Sequence, residues 1–228
     1  MQRFLDIFLA VIALLLFAPI LIPVMIILRL TGEGEIFYRQ ERVGRAGSPF
    51  MVYKFATMLK NSPSLGTGTV TLKNDPRVLP LGRMLRKTKL NELPQLLNIL
   101  NGTMSIIGPR PQTRRCFDAY PLNSQHAIGT VPPGLSGIGS IVFRDEEEIM
   151  HASIDPEYFY DHVIMPYKGL LEQWYVEHRT IKTYIISIIL TILTVFFPRS
   201  GFIWRIFPTL PKPPVELLEK INGCGPGA

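Results

Sequence analysis

The sequence predicts a membrane-associated α/β fold that is mostly helical, from its apolar N-terminal run, its composition and its short helix and strand patterns. Residues 7–28 are uncharged and apolar, and about 20 such residues suffice to cross a bilayer. Apolar residues make up 47% of the chain and charged residues 18%, which is apolar for a soluble protein. The 20 prolines and 18 glycines indicate many loops and short elements in the polar part.

The net charge of +6 indicates an anionic partner. A basic chain suits nucleic acid, an anionic membrane surface or a phosphorylated substrate. Because the chain also has long apolar segments, we expect membrane lipid and a phosphorylated substrate, and no nucleic acid. Cys116 and Cys224 lie far apart and fit no metal-binding spacing, so we expect reduced thiols in a cytosol-facing protein.

The N-terminal run contains two prolines, Pro19 and Pro23, which kink or break a helix. It is too long for a signal peptide, and no small-residue cleavage site follows it. Two structures are compatible with it: a kinked helix that crosses the membrane once, or a re-entrant helix that enters and leaves the same leaflet. Basic residues flank both ends, with Arg3 before and Arg29 after the run, as expected if both ends face the cytoplasm.

The polar body begins after a turn-rich segment. Residues 50–55 read as a strand, which places Tyr53 and Lys54 on opposite faces. Residues 61–69 are expected to form a polar loop, and the predicted turn at residues 75–77 precedes an expected short basic helix over residues 80–87.

Basic residues surround a single acidic residue, Glu92, in the stretch 83–111. A helix is predicted to begin near Asn91, with Asn91 as its N-cap and Glu92 as its first residue, because Pro94 is tolerated only in the first turn. It ends at Asn101 and Gly102. Its apolar stripe consists of Leu93, Leu96, Leu97 and Leu100.

A second motif follows this helix. Residues 104–107 read as a strand that leads into a turn in which Pro109 and Pro111 hold Arg110 in one direction, as suits phosphate binding. The acidic run 145–148 is expected to open a helix. Residues 183–197 are apolar but short for a membrane span, so we expect a helix lying in the interface.

Several motifs together resemble the bacterial sugar transferase family, the monotopic phosphoglycosyl transferases that act on polyprenol phosphate. The resemblance covers roughly residues 3–195, and its specificity comes from the order and spacing of individually weak motifs. These are the proline-containing N-terminal helix, Gln40-Glu41-Arg42-Val43-Gly44, Tyr53-Lys54-Phe55, Asp75-Pro76-Arg77, Leu85-Arg86-Lys87-Thr88, Glu92-Leu93-Pro94-Gln95-Leu96, Met104-Ser105, Gly108-Pro109-Arg110-Pro111 and Pro133-Gly134-Leu135-Ser136-Gly137.

The resemblance implies transfer of a sugar 1-phosphate from a UDP-sugar to polyprenol (undecaprenyl) phosphate, with release of UMP. This reaction starts a surface glycan, such as an exopolysaccharide or lipopolysaccharide, at the cytoplasmic face of the bacterial inner membrane. It also implies a re-entrant helix over residues 1–30, with its break at Ala18, Pro19 and Pro23. A catalytic domain over residues 31–207 and a loosely ordered tail over residues 208–228 would follow. A homodimer is one of the oligomeric states compatible with the sequence.

The family mechanism, carried over by resemblance, uses an Asp-Glu pair. The aspartate attacks the β-phosphate and the glutamate helps to hold Mg²⁺. Glu92 matches the glutamate, whereas Asn91 stands at the nucleophile position, and a carboxamide is a far poorer nucleophile. The residues expected to bind substrate phosphates are Arg86, Arg110, Lys54 and Arg77. The chain also has Ala56 and Thr103 where the family has a basic residue and an aspartate.

Asn91 leaves several functions open. Another carboxylate, Glu92 or one from the run 145–148, would replace the nucleophile in an active transferase. Alternatively, the chain is a catalytically silent member that binds polyprenol phosphate or partner enzymes at the membrane. A third alternative is a single-pass membrane protein that binds an anionic partner.

Overall fold

The computed structural model describes residues 1–64, 75–144, 146–151, 155–197, 201–218 and 220–221. These residues are mostly helical and contain two sheets of two strands each, which agrees with the expected fold class. The chain divides into two compact units, Met1–Glu41 with Phe50–Met104 and Arg42–Pro49 with Ser105–Ala228. The N-terminal apolar segment belongs to the first unit and is not a unit of its own.

The elements up to residue 104 carry most of the motifs found in the sequence. The helices are α1 (Gln2–Leu30), α2 (Pro80–Lys87) and α3 (Gln95–Asn101), with short 3₁₀ turns at Arg45–Gly47, Ser62–Ser64 and Leu90–Glu92. Strand β1 (Phe37–Val43) pairs with β2 (Pro49–Phe55). Helix α3 ends at Gly102, as predicted, because this glycine adopts a left-handed conformation with φ of 86°.

Helix α1 continues through Pro19 and Pro23. Each proline removes one intrahelical hydrogen bond, but the helix is not divided in two, which differs from the break expected at Ala18 and Pro19. Within the described residues, α1 is the one helix long and apolar enough to cross a membrane, judged by length and composition. Most of its apolar side chains are exposed, which is consistent with membrane association.

One face of α1 packs on the body of the first unit. Leu21, Val24 and Leu28 form a buried cluster with Phe55 at the end of β2 and Leu85 of α2. This cluster therefore joins the apolar helix to the two elements that carry Lys54 and Arg86.

The second unit is built around a short parallel sheet. Strand β3 (Ser105–Ile107) pairs with β4 (Gly134–Ser136), so that Ser105 lies opposite Gly134 and Ile107 opposite Ser136. The helices are α4 (Arg114–Asp118), α5 (Leu122–Gly129), α6 (Ile138–Val142), α7 (Glu146–His151), α8 (Pro156–Phe159), α9 (Met165–Glu177), α10 (Ile181–Phe196), α11 (Phe202–Ile206) and α12 (Val215–Leu218), with a π-helical turn at Tyr160–Ile164.

The C-terminal segment is packed where it is described. Leu210, Leu217 and Ile221 are buried, and the Tyr167 hydroxyl donates a 2.7 Å hydrogen bond to the carbonyl of Pro211. This differs from the loosely ordered tail expected from residue 208, because three well-spaced apolar side chains suffice to anchor a proline-rich segment. Residues 219 and 222–228 lie outside the described residues.

Candidate functional site

In the first unit, Lys54 and Glu92 lie close together. Lys54 lies on β2 and Glu92 ends the 3₁₀ turn before α3. The ammonium nitrogen of Lys54 is 4.0 Å from Oε1 of Glu92, and the two side chains are 20% and 15% exposed. A half-buried ion pair of this kind presents one cation and one carboxylate to a common site.

Asn91 precedes Glu92 and is buried, with 7% of its surface exposed. Its side-chain oxygen Oδ1 has no hydrogen-bond partner among the described residues. The predicted N-cap role is wrong, because α3 begins only at Gln95. An N-cap side chain at Asn91 would accept from the N–H of Leu93 or of residue 94. Leu93 donates its N–H to the carbonyl of Leu90 instead, and Pro94 has no N–H to donate.

Asn98 of α3 fixes the edge of β2 that carries Lys54. Its Oδ1 accepts from the N–H of Tyr53 at 3.0 Å, and its Nδ2 donates to the carbonyl of Met51 at 2.7 Å. Asn98 is 2% exposed, whereas Leu97 of the predicted apolar stripe is 39% exposed. The buried face of α3 is therefore partly polar, and sequence periodicity missed Asn98 because only the hydrogen bonds explain its burial.

Arg77 occupies a structural position. Its guanidinium is 5% exposed, with Nη2 2.6 Å from Oδ2 of Asp75 and Nη1 donating to the carbonyl of Ser62 at 2.8 Å. The hydrogen bond from Arg77 to Asp75 is the largest effect on the arginine and raises its pKa. These contacts hold the turn before α2, while phosphate binding by Arg77 stays a prediction.

Arg86 lies on α2 and is half-buried, with Nη1 3.8 Å from the sulfur of Met58. Helix α2 approaches the chain at Thr57 so closely that a Cβ atom at Gly82 would overlap the Thr57 carbonyl. Gly82 thus permits the close packing that sets the position of Arg86 in the unit that also contains Glu92.

Magnesium is the cofactor that the resemblance implies. Mg²⁺ prefers one or two protein carboxylates together with substrate phosphates and water. Glu92 offers one carboxylate, and the neighbouring Asn91 offers a buried oxygen with no donor among the described residues, so these residues fit such a site. No group of three or more His, Cys, Asp and Glu side chains gathers anywhere in the described part, so substrate oxygens would have to complete the coordination.

In the second unit, Arg110 lies in the predicted turn, and its Nη1 is 3.5 Å from the carbonyl of Leu135.

A residue that the sequence did not single out contacts the backbone of Arg110. Glu172 of α9 is fully buried and accepts the backbone N–H of Arg110 at 3.3 Å. Burial raises the pKa of Glu172 to about 7, against the opposing effects of the Arg110 and Gly139 backbone N–H groups and of Lys168. The available signal was a glutamate directly after the apolar pair Leu170 and Leu171 of α9.

The acidic run opens helix α7 at Glu146, as predicted. The buried ammonium of Lys168 donates to Oε1 of Glu146 at 2.7 Å. Glu146 is therefore engaged in an ion pair, which weighs against its use as a nucleophile. Residue 145 and the side chains of residues 147 and 148 lie outside the described residues.

Comparison with known proteins decides the family. The model of the family described as "Bacterial sugar transferase" matches residues 1–198. The chain belongs to the bacterial sugar transferase family. This match covers the first unit, the second unit up to residue 198 and every motif on which the resemblance was based.

Three curated proteins are 34–38% identical to this chain over the matched regions. The "UDP-N-acetylgalactosamine-undecaprenyl-phosphate N-acetylgalactosaminephosphotransferase" of Aeromonas hydrophila is 34% identical over 70% of this chain and 38% of that protein. The "Exopolysaccharide production protein ExoY" of Rhizobium meliloti is 35% identical over 64% of this chain and 70% of its own length. The "UDP-glucose:undecaprenyl-phosphate glucose-1-phosphate transferase" of Escherichia coli is 38% identical over 62% of this chain and 31% of that protein.

Proposed function

We propose that this sugar transferase moves a sugar 1-phosphate from a UDP-sugar to polyprenol phosphate, releases UMP and thereby starts a surface glycan. A new bond forms to the β-phosphorus of the UDP-sugar, and the bond from that phosphorus to the bridging oxygen breaks. UMP leaves with the bridging oxygen, and the sugar phosphate ends on the lipid phosphate as a diphosphate. Family membership and the names of two undecaprenyl-phosphate transferases support this proposal.

The observation that carries the proposal is the pairing of Lys54 with Glu92 beside buried Asn91. A diphosphate needs cations where negative charge gathers on the leaving group. Lys54 and Arg86 of the first unit supply fixed positive charge, and Glu92 with Oδ1 of Asn91 would hold Mg²⁺. The bound ion neutralises phosphate charge. For the second unit, we propose separately that Arg110 binds phosphate.

Asn91 matters at the nucleophilic attack on the β-phosphorus. Glu92 is the candidate replacement, because it adjoins Asn91 and is partly exposed. In that case the Glu92 carboxylate forms the bond to the β-phosphorus, and polyprenol phosphate then displaces it. The alternative is a silent family member that binds polyprenol phosphate or a partner enzyme. It is favoured by the burial of a neutral carboxamide at the nucleophile position.

The contacts of α1 support a re-entrant helix at the cytoplasmic face of the inner membrane. Near its N-terminus, Arg3 donates to the backbone carbonyls of Ile99 and Leu100 at the end of α3. Near its C-terminus, Leu28 packs in the cluster with Phe55. Both ends therefore contact one compact unit, whereas a helix that crossed the bilayer would carry Arg3 away from it. Helix α10, with exposed Ile185, Ile189 and Ile192, is the proposed interfacial helix.

The test measures UMP release by the full chain in detergent with undecaprenyl phosphate, Mg²⁺, and UDP-glucose or UDP-N-acetylgalactosamine. We expect Glu92→Gln to lower the rate at least 100-fold, and Glu35→Gln, a change at an exposed glutamate of the same unit, to have no effect. Undiminished UMP release by Glu92→Gln would exclude Glu92 as nucleophile and ligand. No UMP release by the unmodified chain with a wider panel of UDP-sugars would favour the silent alternative.

A further inference from the structure

We propose that Glu172 is a positioning residue, which orients Arg110 toward the donor phosphate by holding the backbone of the Arg110 turn. This inference rests on the phosphate-binding role proposed for Arg110. Glu172 has no exposed surface, and its Oε1 accepts the N–H of Arg110 itself at 3.3 Å. The backbone of Gly139, at the start of α6, lies against the same oxygen, since a Cβ atom there would be 2.6 Å from Oε1. One side chain of α9 therefore joins two separate turns.

The space for this carboxylate exists because two neighbouring residues are glycines. A Cβ atom at Gly139 would lie 2.6 Å from Oε1 of Glu172, and one at Gly137 would lie 3.1 Å from Oε2. A Cβ at Gly137 would also overlap the carbonyl of Gly108, at the start of the Arg110 turn. Gly137 and Gly139 thus allow the turn, the start of α6 and the acid to come together.

The rest of the Arg110 turn is tied to β4. Gly108 donates to the carbonyl of Ser136 at 3.0 Å, and Gly134 donates to the carbonyl of Pro109 at 2.8 Å. With the backbone of residues 108 and 109 fixed from one side, the bond from Arg110 to Glu172 fixes the next peptide unit. That peptide unit sets the direction in which the Arg110 side chain leaves the chain.

A carboxylate suits this place better than an apolar side chain. The backbone N–H of Arg110 donates to it, and a buried N–H without an acceptor is costly. Lys168 lies one turn earlier on α9 and favours the charged form, although its ammonium also pairs with Glu146. Oε2 of Glu172 has no hydrogen-bond partner among the described residues. A glutamine at this position would keep the shape of the side chain. Its NH₂ group would replace one of the two carboxylate oxygens that can accept a hydrogen bond, which weakens the hold on the Arg110 turn.

The experiment compares Glu172→Gln with Glu177→Gln, a change at an exposed glutamate on the same helix. Donor affinity is measured as the KM in the UMP-release assay and as the Kd for UDP-glucose and UDP-N-acetylgalactosamine by titration calorimetry. We expect Glu172→Gln to weaken donor affinity about tenfold, as for coupled neighbours, with the KM for undecaprenyl phosphate unchanged. Glu177→Gln should match the unmodified chain.

A double-variant cycle separates positioning from a structural role. If Glu172 acts through Arg110, Glu172→Gln should have no further effect on donor affinity in the Arg110→Ala background. An equal loss in both backgrounds, or a lowered melting temperature with donor affinity unchanged, would overturn the inference. If Arg110→Ala itself leaves donor affinity unchanged, the proposed role of Arg110 fails first.

Gly139→Ala provides a second test in which the acid is retained. Its added methyl group would displace Oε1 of Glu172, so we expect donor affinity to fall in the same direction as in Glu172→Gln. Should Glu172→Gln fail to fold, this variant decides the matter, and unchanged donor affinity in folded Gly139→Ala would count against the inference.

Discussion

The side-chain oxygen of Asn98 accepts a hydrogen bond from the backbone N–H of Tyr53 at 3.0 Å. With the 2.7 Å bond from its Nδ2 to the carbonyl of Met51, it imitates a neighbouring strand at the edge of β2. Lys54 follows Tyr53 directly, so the position of the cation beside Glu92 depends on this pairing. The side-chain amide of Asn98 on helix α3 thus makes hydrogen bonds that a neighbouring strand would otherwise make to β2.

We expect Asn98→Leu to destabilise the protein by about 3 kcal/mol, because the N–H of Tyr53 and the carbonyl of Met51 lose their partners inside the protein. UMP release should fall as well, since Lys54 loses its support. Thermal unfolding in detergent measures the first effect. Asn101→Ala, an exposed position at the end of the same helix, is the control and should change neither quantity.

Asn91→Asp tests the nucleophile position directly. We expect UMP release to rise at least tenfold, with a phosphosugar adduct on the protein detectable by intact-mass measurement, because a carboxylate replaces a poor nucleophile. Thermal stability should fall by about 1–3 kcal/mol, because the new charge is buried and Oδ1 has no donor among the described residues. Lower UMP release would instead show that Asn91 has a role of its own.

Asp75→Ala would leave the buried guanidinium of Arg77 without its carboxylate. We expect a loss of about 3–5 kcal/mol, measured by thermal unfolding. The double variant Asp75→Ala with Arg77→Met removes both charges and should recover much of that loss. A double variant that is stable but has lost donor affinity would show that Arg77 also reaches a phosphate.

The pH dependence of stability should report Glu172. Its pKa of about 7 in the folded protein lies above its ordinary value of 4.5, so the folded state keeps a proton that the unfolded chain releases. The contribution of neutral Glu172 to the free energy of unfolding is fully present below pH 4.5 and is lost as the pH rises from 4.5 to 7. Above pH 7 the buried charge lowers the free energy of unfolding by roughly 3 kcal/mol relative to its value below pH 4.5.

Glu172→Gln lacks this titration. The melting temperature of Glu172→Gln minus that of the unmodified chain should therefore increase from pH 5 to pH 8. Thermal unfolding in detergent measures both temperatures. Glu177→Gln should show no such increase. A difference between Glu172→Gln and the unmodified chain that stays constant across this range would contradict the raised pKa.

Local sequence patterns determined the apolar helix α1, the short helix α2 and the end of α3 at Gly102. Each depends on properties of neighbouring residues: an uncharged run, a proline at the first position of a helix, and a glycine that adopts positive φ. The motifs around Glu92 and Arg110 likewise lie close together in the chain, and the family match bears out the resemblance they carry.

Tertiary structure alone decided what the polar residues inside the fold do. Asn91 is not the helix cap that its position predicts, since Pro94 removes one N–H and a 3₁₀ turn uses the other. Asn98 and Glu172 are buried because backbone groups 45 and 62 residues away in the chain need acceptors. A local pattern records the periodicity and caps of an element, whereas the partner of a buried polar side chain is fixed only when distant segments pack together.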